Sequence, residues 1–161
     1  MLETTGELDS RTTELASFVA NLPELLVAMA ADPRTLVAIA EFEDGRYLQF
    51  WAGGDRIVAE VVSNLNVPDG DALTAEQEML LSEAGWGTPV PVSEPNWHRE
   101  ATVGPSLFPL ALASADAAVR ILGKGVDPGS TTVSVRTFPI PSGPRGREKN
   151  RVYRKPTAKS Q

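Results

Sequence analysis

The spacing of apolar positions changes along the chain, and the changes mark out its elements. Leu15, Phe18, Val19, Leu22 and Leu26 recur at three- and four-residue intervals, the stripe of an amphipathic helix. Asp9 and Ser10 are good N-cap residues and Glu14 suits an early turn, so an N-terminal helix is expected to open the fold. Pro23 kinks or restarts that helix, Asn21 offers a second cap, and Asp32-Pro33 closes it. From Thr35 the apolar run turns β-compatible. Residues 36–42, 46–51 and 56–64 predict three strands, joined by Glu43-Asp44-Gly45-Arg46 and Ala52-Gly53-Gly54-Asp55, in meander order. Asp44-Gly45 suits a type I′ turn. On the middle strand Tyr47, Gln49 and Trp51 share one face, and Leu48 and Phe50 the other.

Residues 65–71 are loop, marked by Asn66, Pro68 and Gly70. Thr74 and Gln77 have the spacing of a capping box, which starts a short helix over residues 75–84 that Gly85 stops before Trp86. Residues 87–105 carry Pro89, Pro91, Pro95 and Pro105 and are expected to form an extended connector. A longer helix follows over residues 106–122, with Pro109 in its first turn and Gly123 and Gly125 beyond its end. Val133 and Val135 alternate within a final strand, residues 131–138. The expected fold is therefore α+β: N-terminal helix, three-stranded antiparallel meander, short helix, long C-terminal helix, final strand and disordered basic tail. Residues 9–138 form one domain, and residues 139–161 a flexible tail of Pro, Gly, Lys and Arg.

Length and composition support one domain. A chain of 161 residues with 42% hydrophobic positions builds one core without a disulfide or metal staple. The absence of cysteine removes thiolate zinc sites and Cys nucleophiles, and it suits a reducing compartment. Residues 1–11 lack the basic start of a secretory signal, and residues 15–31 are too polar at Asn21, Pro23 and Glu24 to span a bilayer. A soluble, cytoplasmic protein is expected, with no membrane partner.

Charge divides the chain in two. Arg145, Arg147, Lys149, Arg151, Arg154, Lys155 and Lys159 face only Glu148, so residues 145–161 carry +6; the whole chain carries −6, which leaves −12 for the rest. An acidic body repels phosphate, so nucleic acid would have to bind through the tail. The same difference lets the tail dock on an acidic body, its own or a neighbour's, or simply solubilise the chain's end.

Four segments, in order, resemble a known family: Gly45-Arg46-Tyr47-Leu48-Gln49-Phe50, Ala59-Glu60-Val61-Val62-Ser63-Asn64, Leu73-Thr74 through Ala84-Gly85-Trp86, and Pro95-Asn96-Trp97-His98-Arg99-Glu100. Together they resemble the actinobacterial TY-Chap domains, related to type III secretion chaperones and YbjN, from about residue 12 to residue 137. The resemblance implies a helix, a three-stranded meander, a short helix, and a further helix with strand pairing. It also implies chaperones that hold a partner peptide in extended form, often as dimers, with no catalytic residues. The Ala- and Leu-rich last helix and the basic tail depart from that pattern.

No group of residues here has the makings of an active site. His98 is the single histidine, and a proline-flanked connector is a poor mount for a triad with Ser93 and Glu100. Glu41, Glu43 and Glu60 suit an exposed strand face better than acid/base work. Asp69 and Asp71 are too sparse for a hard cation. Gly53-Gly54 and Gly123-Lys124-Gly125 lack the strand–loop–helix setting of a phosphate loop. No cofactor and no metal are expected. The aromatic residues either fill the core or line a groove beside a sheet edge, where backbone pairing and apolar pockets hold an extended peptide. The candidate partner contacts are Tyr47, Gln49, Trp51, Trp86 and Trp97, with Arg145, Arg147, Lys149, Arg151, Arg154 and Lys155 as electrostatic contacts of the tail. The expected function is thus a non-enzymatic peptide- or protein-binding module. The alternative is an accessory subunit of a larger assembly, nucleoprotein included, anchored by the tail.

Overall fold

The computed structural model describes residues 9–65, 73–124 and 126–140. The expected tail, with Arg145, Arg147, Lys149, Arg151, Arg154 and Lys155, lies outside the described residues.

The described chain begins with a strand. β1 (Asp9–Glu14) precedes α1 (Leu15–Ala20) and α2 (Leu22–Ala31), followed by β2 (Thr35–Phe42), β3 (Tyr47–Gly53) and β4 (Arg56–Val61). Then come α3 (Ala75–Glu83), β5 (Trp97–Thr102), α4 (Leu107–Asp116) and β6 (Thr132–Ile140). All six strands join one antiparallel sheet in the order β1-β6-β2-β3-β4-β5.

The expected fold, which put a helix first and a three-stranded meander after it, is corrected on these points. Asp9 and Ser10 do not cap a helix; they pair with Thr137 and Arg136 of β6. The reason lies in Thr12 and Thr13, β-branched residues that lose side-chain freedom in a helix and fit a pleated strand. The helix starts only at Leu15, whose N–H donates to Thr131 O at 2.7 Å. The meander β2-β3-β4 exists, but it is the middle of a wider sheet. The connector expected over residues 87–105 contains β5, which the nearby prolines disguise. Pro89, Pro91 and Pro95 all precede β5 and Pro105 follows it, so none removes a ladder donor.

Local chemistry explains most of the remaining boundaries. The helix is interrupted at Asn21, and Pro23 occupies the first turn of α2, where a missing N–H costs nothing. Thr74 and Gln77 make both bonds of a capping box at the start of α3. Its end is a Schellman turn: Trp86 N–H reaches Leu81 O at 3.0 Å and Gly85 N–H reaches Ser82 O at 3.1 Å, with Gly85 at φ +95°. The β2–β3 hairpin is not type I′. Gly45 has φ +91° and its N–H donates to Phe42 O at 2.9 Å, but Asp44 is not in the positive-φ region. This is a type I turn followed by a left-handed glycine. α4 is extended by a π-helical turn over Ala117–Leu122.

Apolar burial concentrates on β2, β3, β4 and the helices. Leu15, Leu22, Leu26, Leu48, Phe50, Ile57, Ile121 and Val133 are all buried. Each such large aliphatic or aromatic side chain contributes about 1.5–3 kcal/mol over its exposed state. α2 packs on β3 and β4, and α4 on β4, β5 and α2.

Candidate functional site

A mostly apolar cleft of about 380 Å³ opens where β4 ends. Ser63, Asn64 and Leu65 form one wall and Glu78 of α3 a second, with Thr88, Pro89 and Pro91 from the connector and Trp97 from β5 completing it. Asn64 fixes the α3 side: its Nδ2 donates to Leu73 O at 3.1 Å, and its Oδ1 accepts from Leu73 N–H at 2.6 Å. Leu65 in its wall stays more than half exposed, and Met79, Val90 and Val92, which are not part of the lining, are exposed as well. Val92 is a β-branched residue at φ +75°, an uncommon conformation for such a side chain.

Behind the cleft, Asn96 joins the connector to the sheet. Its Oδ1 accepts from Ser63 N–H at 3.1 Å, and its Nδ2 donates to Glu60 Oε1 at 3.0 Å and to Tyr47 Oη at 3.5 Å. Gln49 Nε2 donates to the same Glu60 oxygen at 3.0 Å. A carboxylate only accepts, so Gln49 turns its amide nitrogen to Glu60 and its Oε1 away.

The candidate contacts occupy different parts of the molecule. Tyr47, Gln49 and Trp51 are buried on one face of β3. Trp86, also buried, sits under the guanidinium of Arg99, 5.9 Å from the ring centre, and Arg99 Nη1 donates to Ala84 O at the end of α3. Trp97 alone among these five lines the cleft. The indole N–H groups of Trp51 and Trp97 and the Oε1 of Gln49 are buried without a hydrogen-bond partner. The contributions of Asn96, Leu65 and Thr88 were missed. Asn96 had one signal, a polar residue just before the alternating Trp97, Arg99 and Ala101.

The other candidate chemistries have structural neighbours. His98 Nδ1 lies 3.0 Å from Asn96 O, which accepts only, so Nδ1 carries the proton. Its other near partner is Glu94, at 3.6 Å. Glu60 is held by two amides as described. Gly53-Gly54 turns β3 into β4, and Lys124 reaches Asp44 at 3.4 Å. Among the described residues, no group of three or more His, Cys, Asp or Glu side chains is placed to hold a metal ion. No helix among them is long and apolar enough to cross a membrane.

Charge is perturbed away from the cleft, at two aspartates. Partial burial pushes the Asp44 carboxyl up, but the Arg46 N–H bond and the charges of Arg46 and Lys124 outweigh it and hold it below the usual range. Hydrogen bonds from the Arg34 side chain and backbone lower half-buried Asp32 to about 2.

The family model described as "T3SS (YopN, CesT) and YbjN peptide-binding chaperone 3", TY-Chap3, matches residues 9–124, more than two thirds of the chain. The chain belongs to the TY-Chap3 family. No curated protein and no solved structure matches it. The matched span runs from the first residue of β1 past the end of α4 and includes every wall of the cleft. As a TY-Chap3 member the chain is a non-enzymatic, chaperone-like module for binding peptide or protein.

Proposed function

We propose that this TY-Chap3 chain holds an extended segment of a partner protein in the cleft between the end of β4, α3 and the proline-rich connector. The observation that carries this reading is the cleft itself, mostly apolar and backed by Trp97, whose buried N–H has no partner. Its volume falls within the ~300–1,000 Å³ of ordinary ligand pockets. Pro89 and Pro91 stiffen one wall, so little entropy is lost when a segment enters. The Trp97 N–H offers one donor to a peptide carbonyl, and Leu65 supplies apolar contact in the wall. In this reading Tyr47, Gln49, Trp51 and Trp86 support the walls rather than touch the segment.

The test is co-purification of the full chain from its native host, with partners identified by mass spectrometry, in parallel with a Leu65→Glu variant. A stoichiometric protein present with the parent chain and lost with the variant is the expected result. No stoichiometric protein, or equal retention by both chains, defeats the proposal. We place the chain in the cytoplasm because it has no cysteine. Light scattering checks a homodimer of the kind the family resemblance implies. The second reading, an accessory subunit anchored by its tail, draws on the +6 charge of residues 145–161, to which any nucleic-acid binding is also assigned. Partner retention that collapses at high salt favours that reading; retention that persists favours the cleft.

A further inference from the structure

The two faces of the sheet are covered differently. α4 packs on β5, where the buried side chains are Trp97 and Ala101. Strand register puts these on the same face as Phe50, Ala59, Val133 and Val135, so the helices lie there. The alternate residues point to the far face. On the flanking strands that face carries Glu100 and Thr102, both exposed, together with exposed Ser134 and half-buried Arg136. On the three central strands it does not stay open: Val37, Ile39, Trp51 and Val58 are each no more than 7% exposed.

This central strip has two unmet hydrogen-bonding groups. Trp51 Nε1 is a donor and Gln49 Oε1 an acceptor; both are buried and neither has a partner. The chain itself arrives at the right place. β6 ends at Ile140, which pairs with Thr35. The Trp51 ring lies over this same end, so close to Gly53 that an added Cβ there would stand 3.1 Å from the ring and 3.2 Å from Thr35 Oγ1.

Residues 141–161 follow directly on Ile140, and so on the strand end near Trp51. Fully extended they reach on the order of 65 Å, while three strands span only about 15 Å. They carry a net +6, and Pro141 and Pro144 favour an extended course at their start. The far face carries Glu14, Glu41, Glu60 and Glu100 against Arg56, Arg136 and the single His98, a formal excess of two negative charges, with Glu100 paired to Arg56 at 2.7 Å and Glu60 buried. We propose that the far face of β2, β3 and β4 is a docking surface for an extended basic segment, occupied by residues 141–161 of the same chain.

The absence of cysteine makes the test clean. A spin label is attached to the full chain through Asn150→Cys, and relaxation is read by nuclear magnetic resonance. The expected result is loss of the Trp51 indole and β3 amide signals, recovered when the label is reduced. The amides of Val27 and Leu112, exposed on α2 and α4, keep theirs. In a second labelled chain, with Arg145, Arg147, Lys149, Arg151, Arg154 and Lys155 all changed to Gln, the lost signals return. Retained β3 signals, equal loss at Val27 and Leu112, or unchanged loss in the Gln chain overturns the proposal. Equal loss in a mixture of labelled, isotope-silent chain with unlabelled, visible chain puts the segment on a neighbour and overturns the intramolecular occupancy.

Discussion

Asn96 holds Glu60 inside the fold: its Nδ2 lies 3.0 Å from the Glu60 carboxylate, and both residues are buried. The same side chain accepts the Ser63 N–H, so one amide satisfies a charge and a backbone donor together. Asn96→Ala leaves both with one partner fewer, and each buried group left unsatisfied costs about 1–3 kcal/mol. We expect a loss of about 2–4 kcal/mol in urea unfolding for Asn96→Ala. Asn96→Asp keeps the acceptor for Ser63 but sets two carboxylates together, so it is expected to be at least as damaging at pH 7 and to recover part of its stability as the pH falls. A loss below about 0.5 kcal/mol for the alanine variant, the range of ordinary surface changes, contradicts this account.

Gly87, which belongs to no strand, bridges to His98 of β5, its N–H donating to His98 O at 2.7 Å. A Cβ on Gly87 collides with the imidazole, standing 2.8 Å from both Cδ2 and Cε1. Gly87→Ala is therefore expected to cost about 1–3 kcal/mol, the range for overpacking. If the ring is the obstacle, His98→Ala removes it, and the double variant is more stable than the sum of the two single losses predicts. Thermal unfolding of the four chains measures the coupling. Strict additivity shows that the glycine is needed for some other reason.

These residues also show how far the sequence speaks. The capping box at Thr74, the break at Asn21, and the meander through Gly45 and Gly54 are local, and local chemistry predicts them. β1 and β5 are not. Ser10 is a good cap in isolation, and only pairing with Arg136, far along the chain, makes it a strand residue. β5 is short, half polar and bracketed by prolines, so its alternation carries a weak signal until β4 lies beside it. The site divides in the same way. Trp97 was legible as an aromatic residue in an unusual setting, but Asn96 was not, because what it does depends on Tyr47 of β3, Glu60 of β4 and Ser63 just beyond β4 converging on it.

Asp44 gives the fold a defined acid limit. Its carboxylate pairs with Arg46, a nearly buried guanidinium that also donates to Leu122 O at 3.3 Å. The Asp44 pKa is depressed in the folded state from a reference of 3.8. A depressed folded-state pKa stabilises above the unfolded value and loses that stabilisation as the pH falls through the folded one. Stability should thus be level near neutrality and decline below about pH 4. Asp32, held near 2 by Arg34, adds to the same acid limb. Asp44→Asn leaves Arg46 without its countercharge, so we expect a loss of about 1–3 kcal/mol at pH 7 and a shallower decline in acid. Urea midpoints from pH 7 to pH 2 test both parts. An acid limb as steep as the parent's rules out Asp44 as a contributor.

Trp97 allows binding to be separated from folding. Its N–H is buried and unpaired in the free chain, so the folded state gains nothing from that donor. Trp97→Phe keeps an aromatic ring in the cleft wall and removes the donor. The lost ring volume costs some packing, while removal of an unsatisfied polar group offsets part of it, and the net change should stay within about 1.5 kcal/mol. Binding should respond as well. A hydrogen bond formed only with the partner segment is worth about 0.5–1.5 kcal/mol, so affinity for the co-purified partner falls about two- to tenfold. Leu65→Glu sets a charge at the apolar rim and should weaken binding further, with little effect on stability because Leu65 is more than half exposed. Calorimetric titration of the three chains with the partner segment ranks them parent, Trp97→Phe, Leu65→Glu. Equal affinities across the series place the bound segment somewhere other than this cleft.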